Sequence, residues 1–210
     1  MLNHSRIIIG TERLEGDLCT TEPARGLVVF AHGSGSSRNS RRNRLVAQTL
    51  QQRGLGTLLF DLLTPDEADN RANVFDIGLL AQRVLEALDA LPAPARDQPL
   101  GLFGASTGAA AALVAAARRP DRVQAVVSRG GRPDLARDQL GEVHAATLLI
   151  VGGADVEVLE LNRAAYALLR CEKRIDVVPR ATHLFEEAGT LERVADLASG
   201  WFLEHLHTAD

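Results

Sequence analysis

From about residue 26 to the C-terminus, apolar runs of strand length alternate without a break with segments of helical period. A chain patterned this way builds βαβ units around a mostly parallel sheet covered by helices on both faces. The strand candidates are Gly26 to His32, Leu55 to Leu62, Leu100 to Ala105, Val123 to Ser128, Thr147 to Val151 and Arg174 to Val178. Each reads as apolar throughout, as fully covered strands do. Between them lie helix candidates at Arg41 to Arg53, Phe75 to Leu91, Thr107 to Arg118, Asp134 to Leu140, Leu159 to Leu169 and Leu191 to His205. The second carries a clear stripe of Ile77, Leu80, Val84, Leu88 and Leu91. The first is weaker, with Leu45, Thr49 and Gln52 on one side and Val46 and Leu50 on another. Ahead of this pattern, Arg6 to Ile9 and Leu14 to Cys19 alternate around Gly10 and Thr11, which predicts an antiparallel hairpin at one edge of the sheet.

No repeat, low-complexity tract or long linker interrupts the 210 residues, so a single domain, 1–210, is expected. Pro92 to Pro99, with three prolines, reads as a loop. Polar residues 64 to 74 form the one long connection, either the rim of a binding site or a mobile loop. The longest apolar run, Ala109 to Ala117, is far shorter than the roughly 20 residues a membrane span needs. A net charge of −4 gives the whole molecule no pull toward nucleic acid or anionic membrane. Two distant cysteines, Cys19 and Cys171, and an opening without a basic-then-apolar leader point to a reduced, cytoplasmic setting. Nothing calls for a metal or cofactor. The partner expected is a small ester-type molecule, and oligomeric state stays open.

The strongest local signal is Gly104-Ala105-Ser106-Thr107-Gly108, a G-x-S-x-G pentapeptide set between a strand and an alanine-rich helix. A serine in such a turn is lifted clear of the sheet by a strained backbone, and the next amide, on Thr107, opens a helix where developing negative charge is favoured. Taken alone, the pentapeptide reads equally as a small-residue turn that packs helix against strand. A serine hydroxyl needs a base to take its proton and a third group to orient that base. Asp155 follows the strand that ends near Val151, and His183 follows the next strand. Serine, acid and histidine in that order, each after a different parallel strand, is the α/β-hydrolase arrangement.

Each assignment has a milder rival. Asp155 would serve equally as the cap of the helix starting near Leu159, and Glu157 is a competing acid. His32 is the histidine that rivals His183, but it comes too early in the chain for the base, and its expected job is bracing the glycine-rich turn Gly33-Ser34-Gly35-Ser36. That turn is expected to supply the second oxyanion donor, Ser34 N–H first and Gly35 next. A phosphate-cradling loop is the lesser reading, because the G-x-x-x-x-G-K-[ST] lysine is missing and Gly101 to Gly108 does not spell G-x-G-x-x-G.

His32 to Ser36, the Gly104 to Gly108 elbow, Gly153-Ala154-Asp155 and Ala181-Thr182-His183-Leu184-Phe185 together resemble the dienelactone hydrolase family of α/β-hydrolases over about residues 26 to 206. The resemblance implies a compact fold, a triad of Ser106, Asp155 and His183, and hydrolysis of an ester, lactone or thioester. One departure stands out. The family's namesakes use a cysteine nucleophile, and Ser106 takes its place here, so acyl chemistry carries over and the dienelactone substrate does not.

Gly130 to Ala146 has room for one short helix, so no lid domain and an open site are expected. Arg129 ends the fourth parallel strand at the catalytic edge, either to bind a substrate anion or to pair with a loop aspartate. Arg38, Arg41, Arg42 and Arg44 read as a solvated face. A hydrolase scaffold with a silent triad, used for binding, is the alternative from another class.

Overall fold

The computed structural model describes residues 1–208. Eight strands form one sheet: β1 (Leu2–Ile9), β2 (Leu14–Thr21), β3 (Leu27–Ala31), β4 (Gly56–Phe60), β5 (Leu100–Ala105), β6 (Val123–Arg129), β7 (Ala146–Gly152) and β8 (Lys173–Val178), in the order β1-β2-β4-β3-β5-β6-β7-β8. From β4 to β8 all neighbours run parallel. β1 and β2 pair antiparallel over their full length, and β2 joins the sheet antiparallel to β4. The expected hairpin is therefore present at the edge, longer than its alternating core because the strands run on to Leu2 and Thr21.

The helices are α1 (Arg41–Gln52), α2 (Pro65–Ala68), α3 (Arg71–Val74), α4 (Ile77–Asp89), α5 (Thr107–Arg118), α6 (Val156–Leu168) and α7 (Thr190–His205). Strand residues alternate between two cores. Val28 and Phe30 pack with Val46, Leu50, Trp201 and Phe202 of α1 and α7, whereas Leu27, Val29 and Ala31 pack with Leu80, Val84, Leu88 and Leu113 of α4 and α5. In α1 it is the Val46 and Leu50 side that is buried, together with Asn43 and Ala47. α5 is buried almost all round, which is why its alanines show no amphipathic stripe.

Four expectations need correction. β8 is half exposed, with Val178 its one buried residue, because it is an edge strand. Pro133–Glu142 is a kinked 3-10 segment where an α-helix over Asp134 to Leu140 was expected, and a 3-10 turn at Ala95–Asp97 interrupts the proline-rich loop. Residues 64–74 hold two one-turn helices, too short to have a period. Thr64 and Glu67 close a capping box with Pro65 at the first helical position, and Asn70 caps α3. Finally, Arg38 is not part of a solvated face. Its guanidinium binds Asp61 and Glu15 and lies 3.6 Å from Asp17, tying the hairpin to the end of β4.

Candidate active site

A parallel sheet delivers the C-terminal ends of its strands to one edge, where loop residues far apart in sequence meet. β5 ends one residue before Ser106, which has φ 51° and ψ −122° and stands as the N-cap of α5. The turn is closed by backbone bonds on both sides: Ser106 N–H donates to the Arg129 carbonyl at 3.4 Å, and Arg132 N–H donates to the Ser106 carbonyl at 3.1 Å. The flanking glycines are sterically required. A Cβ at Gly104 would lie 2.4 Å from Ala109 Cα, and one at Gly108 would lie 2.3 Å from the Ala31 carbonyl oxygen. Small residues thus let α5 sit against β5 and β3 with the serine at the junction.

Asp155 follows β7 and occupies the N-cap position of α6, yet its side chain caps nothing. Its Oδ2 instead accepts from His183 Nδ1 at 2.7 Å. That bond sets the imidazole with Nε2 free for a second partner. The acid is mostly shielded and the histidine partly open, at 16% and 38% side-chain exposure. Glu157, the rival acid, lies exposed in the first turn of α6. Ser106 and His183 line one small cavity of about 160 Å³ together with Arg129, Arg42, Asn43, Ser36 and Ser40. No hydrogen bond joins the hydroxyl to the imidazole in this structure.

The turn after β3 is closed by Ser36 N–H donating to the Gly33 carbonyl at 3.3 Å. Its tip, Ser34 and Gly35, and Thr107 at the start of α5 border a second cavity of about 260 Å³, walled by Leu62, Leu63, Pro65, Ala68, Val74 and Leu80. The Ser34 and Thr107 amides have no acceptor among the described residues. His32 does what its position suggested. Its Nε2 accepts from Leu62 N–H at 3.0 Å and its Nδ1 donates to the Gly33 carbonyl at 3.0 Å, which requires the neutral ring. Burial, only partly offset by the Gly33 bond and the Asp61 charge, holds its pKa below the ordinary histidine value.

Arg129 is buried at 6% exposure and finds no aspartate. Its Nη2 donates to Asn43 Oδ1 at 3.2 Å, its Cζ lies 6.0 Å from the centroid of the Phe185 ring, and its buried Nε has no acceptor. Burial and then the neighbouring Arg42 push its pKa down to about 10. Arg42 and Asn43 were not legible as site residues. A lone asparagine on the buried face of α1 was the one available hint. Of the two readings given to residues 64 to 74, the rim is the one that fits Thr64, Pro65, Ala68 and Val74, which line the larger cavity, whereas Leu62, Leu63 and Leu80 beside them were not legible as part of it.

A family model described as "alpha/beta hydrolase fold" matches residues 26–150. The chain belongs to the α/β-hydrolase fold family and is dienelactone hydrolase-like. It is 52% identical to a dienelactone hydrolase from Anabaena variabilis, with a TM-score of 0.93 and 99% of each chain covered. The esterase Est1E from Butyrivibrio proteoclasticus shares the fold at 16% identity and a TM-score of 0.79, covering 95% of this chain and 98% of that one. Two Mycobacterium tuberculosis proteins with a provisional phosphoribosyl transferase name are 59% identical over 203 residues, 96% of this chain but 46% of their own length. The chain thus spans about half the length of these relatives. Solved structures that share the fold include esterases and hydrolases. No helix among the described residues is long and apolar enough to cross a membrane.

Proposed function

We propose that the protein is a serine acyl hydrolase that cleaves a carboxylic ester, lactone or thioester through an acyl-enzyme. The observation that carries this reading is the 2.7 Å bond between His183 Nδ1 and Asp155 Oδ2, with the same His183 lining a cavity together with Ser106. Ser106 Oγ attacks the carbonyl carbon while His183 Nε2 takes its proton. The tetrahedral oxyanion is held by the amides of Thr107 and Ser34, with Gly35 giving the turn room to approach. His183 then hands the proton to the leaving oxygen or sulfur, and water repeats the sequence to free the acid. Asp155 keeps the imidazole in the required tautomer throughout. Contacts of this kind are often long without substrate and tighten once it binds.

A serine-directed phosphonate tests the assignment directly. Labelling is expected at Ser106 alone, lost in His183→Ala, with Ser106→Ala folded and at least about 10³-fold less active on short acyl esters. Unchanged turnover in Ser106→Ala overturns the reading. The missing bond between Ser106 and His183 favours a second reading, a binding domain with a silent triad. Absence of both labelling and turnover across esters, lactones and thioesters supports it. The phosphoribosyl transferase name of the longer relatives describes attack at a sugar carbon. That name belongs to proteins of which this chain matches 46% of the length, and it is not carried over to this chain.

A further inference from the structure

The main chain of Ser106 is bracketed by the segment that follows β6. Ser106 N–H donates to the Arg129 carbonyl at 3.4 Å, and the Ser106 carbonyl accepts from Arg132 N–H at 3.1 Å. Between them, Gly130 N–H donates to the Ile150 carbonyl of β7 at 2.8 Å. The chain from Arg129 to Arg132 thus holds the strained serine in place, and it does so only as firmly as its own far side is held.

That far side is held by one side chain. Asn162 of α6 is fully buried, and its Nδ2 donates to the Gly131 carbonyl at 3.0 Å and to the Val158 carbonyl at 2.8 Å. The Gly131 carbonyl and the Arg132 N–H belong to one peptide unit, so Asn162 grips one end of a planar group whose other end grips Ser106. The Val158 carbonyl is already served by the backbone ladder of α6. The Gly131 carbonyl has no other donor among the described residues. The other buried residues of α6, Leu159 and Ala165, are apolar, and an apolar residue at 162 would pack the same face. The asparagine instead leaves its Oδ1 buried without a partner, a cost that its hold on the Gly131 peptide offsets.

α6 has a second tie to the site. Its N-cap is Asp155, seven residues before Asn162, a spacing that an α-helix fixes at about 10 Å along its axis. One rod therefore carries, at its start, the acid bonded to His183 and, two turns on, the amide behind Ser106. We propose that Asn162 is a positioning residue for acyl transfer, which locks the Ser106 turn to the helix that carries Asp155 and so sets where the hydroxyl meets His183 Nε2. It touches no reacting atom. The proposal rests on the serine hydrolase reading and deepens it.

The test compares the wild type with Asn162→Leu, which is close in volume and has no donor, and with Asn162→Ser, which is smaller and keeps a hydroxyl for the Val158 carbonyl. Each is assayed on phenyl butyrate for kcat and KM separately, for the rate constant of phosphonate labelling at Ser106, and for the pH midpoint of kcat/KM, all per folded molecule by circular dichroism. In both variants kcat and the labelling constant are expected to fall together by about 10- to 100-fold, the loss that a displacement of about 1 Å brings. KM is expected to change by less than about two-fold, because the interaction removed is not one with bound substrate. The pH midpoint is expected to stay at the wild-type value, since the Asp155–His183 bond is left in place. Should Asn162→Leu not fold, the serine variant decides alone. A lowered urea midpoint with wild-type kcat and labelling marks a residue that only closes a loop and overturns the proposal. A shifted pH midpoint overturns it as well, because the effect then lies on the acid and not on the serine. Wild-type protein that neither turns over the ester nor takes the label sinks the serine hydrolase reading itself, before any variant is compared.

Discussion

Ser106 holds a positive φ that an L-residue adopts only at a cost, and it persists because the residues around it leave no alternative. Gly108 is the clearest constraint, since any side chain there meets the carbonyls of Ala31 and His32. Gly108→Ala is expected to lower stability by about 1–3 kcal/mol in a urea titration, as overpacking against unyielding backbone does, and to abolish phosphonate labelling by displacing α5. Asp155→Asn keeps the shape but offers His183 an amide in place of a carboxylate. Its kcat on short esters is expected to fall by about 10³ to 10⁴-fold with no loss of fold by circular dichroism. His32 gives a pH signature. Its folded pKa is depressed, so the unfolded chain takes up the proton first. The stability it contributes is complete above the unfolded value near 6.5 and is lost as pH falls through the folded one. Denaturant midpoints are expected to drop on acidifying below about 6.5, and His32→Gln should remove that part of the slope.

At the level of elements, the sequence was most informative where small residues punctuate the chain. β5 and α5 run over Leu100–Ala105 and Thr107–Arg118, as read, because the glycine-flanked elbow fixes both ends. The chain order of Ser106, Asp155 and His183 made the candidate site legible for the same reason, since each follows a parallel strand. Two things were not legible. α2 and α3 have four residues each and so carry no hydrophobic period. The meeting of Arg129 with Asn43 spans 86 positions and depends on how α1 crosses the sheet. α2 is held down by Arg83 of α4, whose Nη2 lies 2.8 Å from Glu67 Oε1 and whose Nη1 lies 3.1 Å from Glu86 Oε2. Arg83→Met removes both ties. Amide exchange over residues 64–74 is expected to accelerate roughly ten-fold, and KM for butyrate esters to rise more than kcat falls.

For the whole molecule, the two cores lie on opposite faces of one sheet, so losing either helical layer exposes strands that the other core also packs against. A single unfolding transition is therefore expected. It is checked by comparing fluorescence of Trp201, buried between α7 and β7 with its indole donating to the Ala146 carbonyl, against far-ultraviolet circular dichroism. Coincident curves support one cooperative unit, and separated curves identify the edge hairpin or another part as independent. The imidazole of His32 has an effect beyond its own two bonds. By gripping Gly33 on one side and Leu62 on the other, it joins the turn after β3 to the start of the larger cavity's wall as one mechanical piece. Everything from position 64 to 74 hangs outside that clamp. Transplanting this stretch between related chains is thus expected to reshape the larger cavity while leaving the Ser106 turn undisturbed.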